Sequence, residues 1–113
     1  MTNIEIRADD ARMIFTIDIF GHAGFANLGS DIVCAGISTL FYTAAQSFAA
    51  LDDCGYGVKV QYHIQDGEAH LRAVALDGVA WHRLTEYAEV IMTGYSVLAR
   101  DVAEHVKLRV ESW

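Results

Sequence analysis

The segment Gly21-His22-Ala23-Gly24-Phe25-Ala26-Asn27-Leu28-Gly29-Ser30-Asp31-Ile32-Val33-Cys34-Ala35-Gly36-Ile37-Ser38 carries a histidine on one side of a glycine-rich loop and a cysteine on the other. That pair is the minimum equipment for thiol chemistry. An imidazole can take the thiol proton or stabilise the thiolate, and a cysteine near a helix start gains from unpaired N–H groups and the positive end of the helix dipole. In a cysteine hydrolase Cys34 would attack a carbonyl, His22 would relay a proton to the leaving amine, and water would release the acyl-enzyme. The backbone N–H groups of Cys34 and a neighbour at the helix N-terminus would then face the oxyanion. Asp31 has two readings: it orients His22, or it serves the helix as cap or first-turn acid. Ser38, one helical turn beyond Cys34, shares its face and supplies either a supporting hydrogen bond or ordinary packing. Gly21, Gly24 and Gly29 permit sharp turns, so the intervening loop is expected to be a flexible flap able to bring His22 back toward Cys34. Periodicity alone allows a plainer account, in which Cys34 is a core residue of a buried helix and His22 ends a strand.

The elements that must position this pair are legible from hydrophobic spacing. Residues 3–8 and 12–20 alternate apolar with polar around an Asp9-Asp10-Ala11 break, which predicts a β-hairpin. Residues 32–51 contain no charge before Asp52-Asp53 and Gly55, and Ser30 or Asp31 can cap them, so a helix is expected over about 31–53. Such a helix, apolar around most of its circumference, needs cover from a sheet and from a second helix or another subunit, and a homodimer is the expectation. About 20 apolar residues also suffice to span a membrane. Ser38, Thr39, Tyr42, Thr43, Gln46 and Ser47 dilute the run, and no membrane span is expected.

A second hairpin follows, with Val58, Val60, Tyr62 and Ile64 on one face of its first strand and Ala69, Leu71, Ala73 and Ala75 on the matching face of the next. Asp66-Gly67 supplies a two-residue turn. That turn sets His63 across from His70, but two histidines fall short of a metal site, and no metal is expected. Leu84, Tyr87, Ala88, Ile91, Tyr95 and Leu98 form one stripe of a helix at about 80–101, and Val106-Lys107-Leu108-Arg109-Val110 forms a last strand. The order ββαββαβ predicts an α+β fold: one domain over residues 1–113, with one mostly antiparallel sheet packed with two helices.

Composition limits the partners. The chain has 113 residues, 53% hydrophobic and 20% charged with no proline, which suits one ordered domain rather than disorder. A formal charge of −7 argues against direct nucleic-acid binding, which needs clustered Lys and Arg, and permits a basic protein partner. Met1-Thr2-Asn3-Ile4-Glu5 shows no secretory signal, so a cytoplasmic location is expected. One helix linking Cys34 to Cys54 would hold them roughly 30 Å apart, far beyond disulfide reach, and both should be free thiols.

The motif from Gly21-His22-Ala23 to Gly29-Ser30-Asp31-Ile32-Val33-Cys34-Ala35-Gly36-Ile37-Ser38 resembles the signature of the Prp family of bacterial ribosomal-processing cysteine proteases. Residues 21–38 carry the resemblance most specifically; length and element order extend it over nearly the whole chain. It implies a small homodimeric cysteine endopeptidase that removes the N-terminal extension of large-subunit ribosomal protein L-twenty-seven during ribosome maturation, with no cofactor. The family's histidine falls on His22, its nucleophile on Cys34, and its acidic and hydroxyl positions on Asp31 and Ser38. The resemblance further implies a loop that orders over the precursor peptide and an apolar groove for aromatic residues before the cut. The rival reading is a non-catalytic, ribosome-associated protein-binding module whose acidic surface meets a basic partner.

Overall fold

Period-two alternation makes the first two strands one-sided. In the computed structural model, which describes residues 1–21 and 28–112, β1 (Thr2–Asp9) buries Thr2, Ile4 and Ile6, and β2 (Ile14–Phe20) buries Phe15, Ile17 and Ile19. Their antiparallel register sets Ile4 against Ile19 and Ile6 against Ile17, so both apolar sets share a face. The connecting turn is longer than the Asp9-Asp10-Ala11 break suggested. Asp9 Oδ1 accepts the Arg12 N–H at 3.1 Å and Met13 adopts φ 59°, which draws both residues out of the second strand.

Helix α1 (Leu28–Asp53) begins three residues before the expected start at 31. Ser30 and Asp31 therefore lie in its first turn instead of capping it, and Gly29 is helical rather than part of the loop. The same exposed N–H groups favour short polar residues at the cap and acids in the first turn, so residue type alone does not separate these positions. Val33, Ile37, Phe41, Ala44, Phe48 and Leu51 recur at steps of three and four and are all buried. α1 is long and apolar enough to cross a membrane by length and composition, yet this stripe packs on the sheet, where Phe48 meets Phe15 edge to face at 5.6 Å. Burial of each such ring contributes about 1.5–3 kcal/mol.

β3 (Val58–Gln65) and β4 (Glu68–Ala75) form the second hairpin around Asp66-Gly67, with Gly67 at φ 78° and Gln65 paired to Glu68. Helix α2 (Gly78–Asp101) starts two residues earlier than expected because Asp77 caps it, its Oδ1 accepting the Ala80 N–H at 2.8 Å. α2 buries Leu84, Ala88, Ile91 and Tyr95 as anticipated, and also Trp81, whose indole N–H donates to Asp10 Oδ1 at 2.6 Å. β5 (Val106–Ser112) closes the sheet in the order β3-β4-β2-β1-β5; it runs parallel to β1, and the remaining pairs are antiparallel. The fold is the expected α+β arrangement.

The two helices approach closely because one contact residue lacks a side chain. A Cβ at Gly94 would stand 2.6 Å from Leu40 Cδ2. Beside it the fully buried Tyr95 hydroxyl donates to the Ile37 carbonyl at 3.2 Å, and burial pushes its pKa up. α2 thus fixes the α1 turn that follows Cys34.

Candidate active site

The site is built where the end of β2, the first turns of α1 and the tip of the β3–β4 hairpin meet. Gly21 has φ 91°, its N–H donates to the Gly67 carbonyl at 2.8 Å, and a Cβ there would lie 2.7 Å from the Met1 carbonyl oxygen. No L side chain fits that position without strain. Gly21 therefore makes a tight corner between the end of β2 and the β3–β4 turn. The corner forms one end of an open cleft, with Cys34 and Ser38 on its α1 wall and Ile64, Gly67 and Glu68 on its hairpin wall.

Cys34 is partly exposed on this wall, and Ser38, one turn on, is exposed beside the same cleft. Cys34 is therefore not enclosed in the apolar core, where Val33 and Ile37 on either side of it are. His22 and Gly24 lie outside the described residues, as does the side chain of Asp31. Cys54 is exposed just past α1, and the two cysteines do not form a disulfide.

One expectation changes with the helix start. The unpaired N–H groups of a helix belong to its first four residues, and the dipole effect falls off within the first turn. With α1 beginning at Leu28, Cys34 is the seventh helical residue. At that position its N–H is not among the four that a helix start leaves unpaired.

The cleft changes character from floor to rim. Ile19, Ile37 and Phe41 form an apolar floor, while Tyr42 and Ile64 are 46% and 42% exposed around it. Phe41 meets the Tyr62 ring edge to face at 6.2 Å. α1 covers the base of β3, where Val58 is fully buried, but leaves the hairpin tip open. Thus Tyr62 and Ile64, on the same strand face as Val58, are accessible. Thr2 also borders the cleft, with a buried hydroxyl that has no hydrogen-bond partner among the described residues.

On the other face of the hairpin, His63 and His70 stand opposite each other as the turn required. His70 is engaged by carboxylates: its Nδ1 donates to Asp18 Oδ1 at 2.8 Å, and its Nε2 lies 3.4 Å from Glu68 Oε2. The Asp18 hydrogen bond, with a further contribution from Glu68, raises the His70 pKa above its ordinary value. Gln65 Nε2 donates to Glu68 Oε2 at 2.8 Å, and this bond together with His70 lowers the Glu68 pKa. Among the described residues, no group of three or more His, Cys, Asp or Glu side chains is arranged to hold a metal ion. Sequence reasoning missed both Asp18 and Glu68. Asp18 meets His70 only because β2 pairs with β4, a neighbour relation that no local pattern encodes. Glu68 carried a weak signal, as the residue following Asp66-Gly67.

The geometry has counterparts among solved structures. SMU.848 from Streptococcus mutans superposes with a TM-score of 0.76 at 23% identity, covering 100% of this chain and 96% of that one. The Staphylococcus aureus ribosomal processing protease Prp, in complex with a covalently linked product peptide, gives 0.75 at 20% identity, with coverages of 97% and 99%. The same protease with a substrate peptide gives 0.74 at 19% identity, again covering 97% and 99%. These likenesses show a shared fold. A search of curated proteins returns no match. Residues 1–108 match the family described as Cysteine protease Prp, so this chain, with Cys34 on the wall of its cleft, belongs to that family of cysteine proteases.

Proposed function

We propose that the protein is a ribosomal processing protease that removes the N-terminal extension of large-subunit ribosomal protein L-twenty-seven. The observation that carries this reading is the partly exposed Cys34 beside Ser38 in a cleft with an apolar floor, in a chain of the Prp family. Prp of Staphylococcus aureus, which shares the fold, has been captured with substrate and product peptides.

In this mechanism His22 accepts the Cys34 proton, and the thiolate adds to the scissile carbonyl carbon to give a tetrahedral oxyanion. Collapse breaks the C–N bond, with His22 returning the proton to the departing amine and a thioester remaining on Cys34. A water molecule, deprotonated by His22, then attacks the thioester and releases the carboxylate and the free thiol. Ser38 supplies a hydroxyl on the Cys34 face of α1, and Asp31 serves the first helical turn or orients His22. The apolar floor suits an aromatic residue before the cut. The enzyme works in the cytoplasm on a protein substrate, without nucleic acid or cofactor. A homodimer is supported by exposed apolar side chains on the helices, Ile32 and Val90 each being 71% exposed. Its solution mass should be twice that of the chain.

The deciding experiment is mass spectrometry of the extended ribosomal protein after incubation with the protein, beside Cys34→Ala and His22→Ala controls. A single truncation made by the unaltered protein alone is expected. An intact precursor with folded enzyme would overturn the substrate assignment.

A further inference from the structure

The hairpin wall of the cleft is tied to β2 from the opposite face of the sheet. Glu68 borders the cleft, but strand alternation turns its carboxylate away, toward Gln65 and His70. His70 joins the strands there. Its Nδ1 donates to Asp18 of β2 at 2.8 Å, its Nε2 lies 3.4 Å from Glu68 Oε2, and its ring meets Phe20 of β2 edge to face at 5.2 Å. Gln65 of β3 donates to the same Glu68 oxygen. Phe20 is the sheet partner of Glu68, and one step further along each chain the Gly21 N–H donates to the Gly67 carbonyl at 2.8 Å. The side-chain clamp on one face and the backbone bond at the end of the cleft are thus one residue apart on both strands.

The clamp depends on one proton. An imidazolium donates from both ring nitrogens, whereas a neutral imidazole donates from one and presents a lone pair at the other. Protonated His70 satisfies Asp18 and Glu68 together. Neutral His70 keeps the shorter bond to Asp18 and turns its lone pair toward Glu68, which releases the tie to the hairpin turn. The charged and titratable groups on this face around His70 are Asp18 from β2, His63 from β3, and Glu68 and Arg72 on β4 itself, with Glu5 of β1 beyond Asp18. The Asp18 hydrogen bond, with Glu68, outweighs desolvation and raises the His70 pKa above its ordinary value.

We infer that His70 is a positioning residue for peptide binding: its proton holds the Gly67 turn against Gly21 and so sets the hairpin wall of the Cys34 cleft, without touching the peptide. This role rests on the peptidase reading and deepens it, making peptide affinity pH-dependent through a residue on the far side of the sheet.

The test measures the Kd of a synthetic peptide spanning the bond cut in the precursor, on the Cys34→Ala protein, between about pH 5 and 9. Kd should weaken about threefold as pH rises, the scale of one partly exposed ion pair, with its midpoint at the His70 pKa read by NMR in the same protein. Asp18→Asn should move both midpoints down together, a coupled shift that a merely structural role would not produce. Saturating peptide should move the His70 midpoint up, because linkage is reciprocal. His70→Gln, which does not titrate, should flatten the dependence at this midpoint, and His82→Gln, on an exposed α2 histidine, should leave it intact. Without peptide, the hydrogen-exchange protection of the Gly21 amide, corrected for the intrinsic pH dependence of exchange, should fall over the same pH range. A Kd midpoint that stays in place when Asp18→Asn moves the His70 pKa, or that survives His70→Gln, overturns this inference and leaves the peptidase reading standing. Neither binding nor cleavage of any peptide by folded protein overturns both.

Discussion

The two ends of the helix-covered sheet face use similar residues in opposite ways. At the packed end Phe15, Phe48, Leu51, Leu84 and Tyr95 are enclosed, and every ring is fixed by a neighbour or a hydrogen bond. At the open end Tyr42 and Ile64 stand half-exposed along the cleft that Cys34 also lines, and Tyr62 is half-exposed beside Phe41. The same kinds of side chain make a core where α1 and α2 cover the sheet and a ligand surface where they leave it open. The packed end thereby serves the open one. Gly94 lets the helices meet at Leu40, and Tyr95 holds the Ile37 turn from which Cys34 and Ser38 reach into the cleft.

Substitutions at either end sharpen this contrast. The largest effect should come from Cys34→Ala, which, with Cys34 as the proposed nucleophile, should reduce peptide cleavage by about a thousandfold or more while a thermal melt moves little, because the side chain is partly exposed rather than enclosed in the core. Phe48→Ala should do the reverse, lowering unfolding free energy by about 3–5 kcal/mol in a denaturant titration. Tyr62→Ala removes a ring of similar size at the open end and should cost under about 1.5 kcal/mol, since half its surface is already hydrated. Equal losses for the two ring deletions would break the comparison. Tyr95→Phe should cost about 1 kcal/mol, the usual net value of one hydrogen bond, and should raise peptide KM if it loosens the Cys34 turn.

The smallest effect concerns the network behind the cleft. His70 has its pKa raised in the folded state by Asp18, so the stability from this pair is fully present below the unfolded histidine value of about 6.5. It is lost as pH rises through the folded value. Asp18→Asn should therefore narrow the stability gap to the unaltered protein at pH 9 relative to pH 5, and an NMR titration should show the His70 pKa falling. Glu68 has the opposite sign: its lowered folded pKa contributes stability above the ordinary carboxylate range, and this is lost as pH falls. An unchanged His70 titration in Asp18→Asn would mean that Asp18 does not anchor the network.

Much of this molecule is local enough to read in its sequence. Alternation in Ile14–Ile19, the buried steps of α1 and the Asp66-Gly67 turn each depend on near neighbours, and the turn fixed the register that sets His63 across from His70. The thiol and its hydroxyl neighbour were legible too, because i and i+4 share a helix face whatever else the chain does. Helix starts were less so: Ser30 and Asp31 look like caps, but the helix extends back to Leu28 and takes them into its first turn. Only the tertiary structure decided that β2 lies between β1 and β4, that Asp18 and Glu68 converge on His70, that Trp81 reaches Asp10, and that α1 stops short of covering Tyr62 and Ile64. The physical reason is range. Propensity, periodicity and turn chemistry act over a few residues, whereas strand order and the placing of a cleft depend on how distant apolar faces bury one another.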